Sequence, residues 1–289
     1  MTAAGTASST NRTAALAVIA LVFGAVAMGA SVLFVRWADV GPYTSAFWRV
    51  FLALPFLWIW MRVETPATDK KALFADPAVI LAGLFFTGDL FFWHLAILNT
   101  TVANATFLAT TAPIWVALGA WLLRSEAVGL RDLGGLALCI LGGVALFGDL
   151  CGVATALFFG AYVLAVRAAR TRFGAAALMY AATAMTAAYL LVIALSFEDR
   201  FLPQTASGFA SLVALAVISQ VGGQGLVAVA LGTLPATFSS LVIFLEAIAA
   251  ASFGWLLLGE PLGPIQAFGG VLILLGIFTA RPRRGEAGP

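Results

Sequence analysis

Ten apolar runs, each about as long as a helix must be to cross the hydrocarbon core of a bilayer, take up most of this 289-residue sequence. They fall near residues 14–35, 43–61, 77–98, 102–123, 130–148, 152–168, 174–196, 207–231, 236–258 and 262–280. Charged residues make up only 10% and hydrophobic ones 62%, with a mean hydropathy of +1.05. A soluble fold would need far more charge on its surface. Leu, Val and Phe continue on all sides of each run, without the two-residue alternation of an outer-membrane barrel strand. The expected class is therefore an all-α integral membrane protein, because a helix satisfies its backbone polar groups within itself. The first run is long enough to span and more spans follow it, so it is not read as a cleaved signal peptide.

The placement of charge gives an orientation. With a cytoplasmic N-terminus, twelve of the 15 Lys and Arg fall at inner positions: Arg12, Arg62, Lys70, Lys71, Arg124, Arg131, Arg167, Arg170, Arg172, Arg281, Arg283 and Arg284. Arg36, Arg49 and Arg200 are left outside or in the outer half. Positive charge is retained on the cytoplasmic side, so both termini are expected there. Cys139 lies mid-run and Cys151 near a run end, which leaves no disulfide framework and no Cys-rich metal site.

The chain also repeats itself. "WLLRSEAVGLRDLGGLALCILG" from Trp121 lies over "WLLLGEPLGPIQAFGGVLILLG" from Trp255 without a gap, at an offset of 134. Trp121 and Trp255, Glu126 and Glu260, and three pairs of glycines coincide. Apolar letters match easily in membrane sequence; Trp, Glu and Gly do not. The expected division is a first repeat over 1–149 and a second over 150–289, forming one transport unit. Each holds five spans, an odd number, so the second copy would lie upside down relative to the first, as in many secondary transporters.

Over its whole length the sequence resembles the EamA-type drug/metabolite transporter superfamily. The residues that carry the resemblance are Arg49 early in span two ("FWR"), Pro113 in span four ("TAPIW") and "LLLGEPLGPIQAFGGVLILLG" closing the second half. Within that superfamily it is most similar to the YddG-type aromatic amino-acid exporters. The resemblance implies ten spans and export of small solutes across a bacterial inner membrane. One departure concerns span nine, where the family often has proline at the position matching Pro113 and this chain has Ala247. A proline kink is not expected there.

Polar residues inside the spans are the candidate site. Asp89 sits near the middle of span three, where an ionised carboxylate costs on the order of 2.5–3.5 kcal/mol. It needs a partner, a wet cavity or a proton. Arg49 reaches a similar depth, so a structural ion pair with Asp89 stands beside a cavity-facing carboxylate and a protonated Asp buried between helices. Trp93, at i+4 from Asp89, shares its face and suits an aromatic or cationic solute. His94 is rotated from Asp89 by about 140°; a hydrogen bond across helices and a contact with solute are both open. At the repeat offset, "TGDLFFWH" lies over "VGGQGLVA" in span eight, so both copies lose hydrophobicity at one place. Gln220 and Gln224 are expected on one face there, with Gly222, Gly223 and Gly225 allowing close packing or local unwinding.

Glu246 in span nine is read either as a protonated carboxyl bonded to a neighbouring helix or as a site for proton coupling or a solute's ammonium. With Asp89 it is the residue able to accept a coupling proton. Trp115 and Tyr162 lie deep enough to join a cavity, whereas Trp37, Trp58, Trp60, Trp121 and Trp255 fall near interfaces. Glu126 and Glu260 sit at loop edges, as end caps or fold-stabilising contacts.

The expected function is a secondary or facilitative exporter of small solutes, aromatic and other neutral amino acids first. A proton-coupled exporter of drugs, amines or other metabolites is the alternative; a channel or sensor stands further off. No GxxxxGK[ST] loop occurs, and a single histidine with no zinc or Ser/His/Asp spacing argues against an enzyme. No cofactor, metal or nucleic acid is expected; the partners are the solute and the bilayer. The sequence does not fix the oligomeric state.

Overall fold

The computed structural model describes residues 3–64, 69–99, 112–123 and 150–261, with isolated positions between 263 and 275. The described chain folds as helices: α1 (Ala3–Gly29), α2 (Ser31–Trp37), α3 (Pro42–Glu64), α4 (Lys70–Ala75), α5 (Pro77–Asn99), α6 (Ala112–Leu122), α7 (Leu150–Ala169) and α8 (Ala175–Phe197). Then come α9 (Ala206–Ala214), a π-helical segment (Leu215–Gln224), α10 (Gly225–Leu231), α11 (Ala236–Ile243) and α12 (Leu245–Leu258).

Six helices or stacked helices are long and apolar enough to cross a membrane: Thr13–Trp37, Pro42–Glu64, Pro77–Asn99, Ala175–Phe197, Ala206–Leu231 and Ala236–Leu258. They coincide with six of the expected runs. The shorter apolar helix Ala154–Ala169 falls on a seventh, and α6 on part of an eighth. The run at 130–148 lies outside the described residues, as does most of 262–280.

The sequence did not anticipate α4. Asp69 starts it by accepting from the N–H groups of Lys71 at 2.8 Å and Ala72 at 3.4 Å, as an N-cap does. Lys70 and Lys71, which fall between the second and third expected runs, therefore lie in its first turn.

Three of the spans are not continuous α-helices. Span one breaks at Ala30, where Leu33 N–H bonds to the Ala30 carbonyl, one residue nearer than α geometry. Span eight widens into the π-helical segment, which includes Gly222 and Gly223, two of the glycines that allow close packing or local unwinding. Span nine breaks at Phe244: the Phe244 N–H reaches Leu241 O at 3.2 Å and the Ala247 N–H reaches Phe244 O at 3.0 Å. The absence of proline at Ala247 therefore does not keep this helix straight; a tightened turn interrupts it just before that residue.

The helices pack in a pattern that ignores the midpoint of the sequence. α5 lies against α7 and α8, α8 against α3, and α6 against α7. α1 instead joins α12, the π-helical segment and α10. The first span of the chain thus packs with spans eight and nine, and the first span of its second half packs with spans three and four. Small residues allow these approaches. A Cβ on Gly29 would sit 2.8 Å from both the Ala249 Cβ and the Glu246 carbonyl, and one on Gly223 would meet Met28. Alanine does the same along α8, where Ala175, Ala176, Ala177, Ala181 and Ala182 are buried.

Polar ties join the helix ends. Glu198 caps α3 through the N–H groups of Tyr43 at 2.8 Å and Thr44 at 3.0 Å. Asp39 accepts from the Gln204 N–H and from both the N–H and hydroxyl of Thr205. At the Arg-rich end, Arg167 donates to Leu231 O at 2.7 Å, Arg170 to Ala228 O at 2.9 Å, and Arg172 pairs with Asp76. Cations belong at the C-terminal end of a helix such as α10, where carbonyls lack partners. Arg36 and Glu260 form an ion pair at 3.4 Å; Glu126 lies outside the described residues.

Candidate functional site

Where the two groups of helices meet, they leave a cavity of about 50 Å³. That is room for a few water molecules. From one side Arg49 (α3), Asp89 and Trp93 (α5), Pro113 (α6), and Thr155 and Phe159 (α7) line it. From the other come Met28 (α1), Gln224 at the end of the π-helical segment, Ser240 and Phe244 around the break in span nine, and Glu246 (α12). Two of the three interrupted spans therefore lose regular geometry at the cavity wall. Non-helical backbone at membrane depth is tolerated only where protein or a wet cavity satisfies it, and widened turns are frequent at functional sites.

The electrostatics follow from the lining. One guanidinium and two carboxyls share the space, and Arg49 is the cation whose charge reaches both Asp89 and Glu246. With all three ionised, the formal balance is one negative charge in excess, which favours an incoming cation or a proton. Two acceptor-capable side-chain atoms in the wall, Thr155 Oγ1 and Gln224 Oε1, are buried without a partner among the described residues.

Arg49 and Asp89 line the same cavity, yet they form no direct ion pair among the described residues. Arg49 Nε instead donates to Gln220 Oε1 at 3.1 Å, and Gln220 Nε2 donates to Thr183 Oγ1 at 3.2 Å. Of the alternatives open for Asp89, the ion pair between spans two and three is not formed among the described residues; the Arg49 cation bonds an amide of span eight instead. The π-helical segment delivers Gln220 to that position.

The candidate residues separate into two sets. Asp89, Trp93, Gln224 and Glu246 reach the cavity wall; His94, Trp115, Tyr162 and Gln220 do not. His94 is fully buried, with Nδ1 2.8 Å from Ser45 Oγ and no partner for Nε2 among the described residues. Its contact is the hydrogen bond across helices. Tyr162 donates to Met179 Sδ at 3.6 Å and stacks on Phe86 with ring centroids 4.8 Å apart. Trp115 packs against Gly160, where a Cβ would come within 2.9 Å of its own. These three belong to the packing around the site. Trp37, Trp58 and Trp255 are exposed, while Trp60 lies over Gly225 of span eight.

Thr155, Phe159, Ser240 and Phe244 were missed. A hydroxyl inside a membrane helix can satisfy itself on its own backbone, as Ser240 does by donating to Thr237 O at 2.8 Å. It therefore leaves no mark in the hydropathy. The two phenylalanines look like any others in a chain that has 23. Among the described residues, no group of three or more His, Cys, Asp or Glu is arranged to hold a metal ion.

A bundle of apolar helices around a small charged cavity at broken helices is an arrangement that membrane transporters use. The chain belongs to the EamA-like transporter family, whose pattern it matches twice, over residues 15–148 and 146–281. It therefore carries two EamA repeats. It is 24% identical over 269 residues to an uncharacterized transporter of Archaeoglobus fulgidus, covering 86% of this chain and 90% of that one. A solved crystal structure superposes on 94% of this chain and 97% of its own with a TM-score of 0.71 at 17% identity, a likeness of fold alone.

Proposed function

We propose that this protein is a ten-span secondary carrier of a bacterial inner membrane, with both termini cytoplasmic and two five-helix repeats, 1–149 and 150–289, in opposite orientations. It exports small solutes, aromatic and other neutral amino acids foremost, in the manner of the YddG-type exporters that its sequence resembles. The observation that carries this reading is the mixed-charge cavity where two sets of helices meet at interrupted spans.

The packing supports the topology. Span one leaves its own half to join spans eight and nine, and span six joins spans three and four. Such an exchange is expected of two copies related by a pseudo-twofold axis in the membrane plane. The rocking units are then the two mixed groups of helices, and their relative motion opens the cavity first to one side and then to the other. Glu246 and Asp89 are the groups that accept a coupling proton, since the excess of carboxyls over cations disfavours an empty cavity with both ionised.

Counterflow of labelled phenylalanine in proteoliposomes tests the proposal. A carrier gives saturable flux that is accelerated by unlabelled solute on the opposite side. Linear, unsaturable flux identifies a channel instead. Solute-driven alkalinisation that survives Glu246→Gln removes Glu246 from proton coupling.

A further inference from the structure

Arg49 is only 2% exposed, yet one of its three nitrogens alone has a hydrogen-bond partner among the described residues. That nitrogen is Nε, which is held by Gln220 Oε1; Gln220 is held in turn by Thr183, and both are fully buried. The chain Thr183–Gln220–Arg49 fixes the plane of the guanidinium. It leaves the four N–H groups of Nη1 and Nη2 without a hydrogen-bond partner among the described residues, on a side chain that lines the cavity. Asp89 and Glu246 share that cavity, but among the ion pairs of the described residues neither closes on the fork. The Phe86 ring, with its centroid 6.0 Å from Arg49 Cζ, gives the guanidinium a further contact that uses none of its donors.

From this geometry we infer that the Nη fork of Arg49, preset by Gln220, is the receptor for a carboxylate of the solute. The inference rests on the carrier reading and narrows it to solutes that bear a carboxylate, as opposed to simple amines. A planar fork with two parallel donors matches a carboxylate in a way that a point charge does not. The rest of the wall fits the other parts of a zwitterion. Asp89 and Glu246 offer negative charge to an ammonium, and Trp93, Phe159 and Phe244 offer apolar surface to a side chain. Gln220 acts through Arg49 and is a positioning residue. The π-helical segment, which has no counterpart in span three, is what carries Gln220 into place.

The test compares L-phenylalanine with phenylalaninamide and 2-phenylethylamine, both of which keep the ammonium and the ring but lack the carboxylate. Binding to the full-length protein in detergent is read by tryptophan fluorescence, and competition is read in phenylalanine counterflow. We expect each amine to bind at least about tenfold more weakly than phenylalanine, the ratio that a lost charge-assisted hydrogen bond produces. Gln220→Met removes the acceptor at nearly constant shape, and Thr183→Val removes its anchor. Each should lower the preference for phenylalanine over the amines several-fold, whereas a purely structural role would weaken all three ligands alike. Arg49→Lys keeps the charge without the fork and should lose the same preference. Where Gln220→Met fails to fold, the wild-type preference and Thr183→Val decide.

Amines that bind and exchange as well as phenylalanine, with saturable counterflow intact, overturn this inference and leave the carrier standing. Absence of saturable flux for all three compounds overturns the carrier reading, and this inference with it.

Discussion

Spans three and eight occupy matching places in the two repeats, aligned without a gap at an offset of 134, yet they have solved the same position differently. α5 stays α-helical from Pro77 to Asn99 and places the charge of Asp89 and the ring of Trp93 directly on the cavity. Its mate opens into the π-helical segment and carries amides instead. Of these, Gln224 reaches the wall, and Gln220 stops one layer behind it to hold Arg49. A regular helix can present a side chain to solute, but it cannot shift its neighbours in register. A widened turn, with one more residue per hydrogen-bonded ring, moves a flanking side chain sideways into a gap between helices. At this matched position the work is divided: span three supplies charge, and span eight sets the geometry of a cation on span two.

That division can be broken at either end. The largest effect is expected from Asp89→Leu, which removes a carboxyl from the wall of the cavity: counterflow should fall by about 100-fold or more, while the melting temperature in detergent stays near that of the wild type. A flux within a factor of a few of the wild type would take Asp89 out of the site. Gln224→Leu should lower flux less, by about tenfold, as expected for a neutral hydrogen-bonding group.

Next in size is the close contact of span eight with span one. Gly223→Val would drive a side chain into Met28 and the backbone around Gly24. It should lower stability by about 1–3 kcal/mol, as overpacking does. Gly88→Val in span three meets first the ring of Phe158, a side chain that can turn, rather than backbone, so its melting temperature should drop less. The reverse order would show that span three is the more closely packed of the two.

Ser45→Ala strips His94 Nδ1 of its partner and should cost about 1–3 kcal/mol for an unsatisfied buried group, without changing solute affinity. A loss of affinity alone would return His94 to the cavity.

The smallest effect concerns the loop between α2 and α3. Partial burial pushes the Asp39 carboxyl up, but the Thr205 hydroxyl and the N–H groups of Thr205 and Gln204 together hold it below its ordinary value. A carboxyl depressed in the fold contributes stability above its unfolded value, and that contribution fades as pH falls through the folded value. Melting curves should therefore show a shallow acid-side loss that Asp39→Asn flattens; an unchanged slope would show that these bonds add nothing to the fold.

Much of this architecture could be read in the sequence because a bilayer allows so few solutions. The six helices long enough to span fall on expected runs to within a few residues, and the duplication announced by Trp121/Trp255 and Glu126/Glu260 appears as two family matches. Asp89, Trp93, Gln224 and Glu246 stood out because polar or amphipathic groups in an apolar run are conspicuous. What escaped depended on partners distant in sequence. Arg49 looked ready to pair with Asp89, since opposite charges at one depth attract, but the partner it found is an amide 171 positions away. His94 could have faced either way until Ser45 claimed it. Nor could hydropathy foretell that span nine would break at Phe244 without a proline, because that break is a shift in backbone hydrogen bonding between residues as apolar as their neighbours.

The central claim is that solute occupies the cavity between the two mixed groups of helices. Ser240→Cys, introduced after Cys139 and Cys151 have been replaced by Ala, puts one thiol on its wall. The measurement is the rate at which a small methanethiosulfonate reagent abolishes phenylalanine counterflow in proteoliposomes, with and without excess phenylalanine. Labelling should block exchange, and phenylalanine should slow the labelling in a saturable way. Full labelling that leaves counterflow intact would contradict the claim.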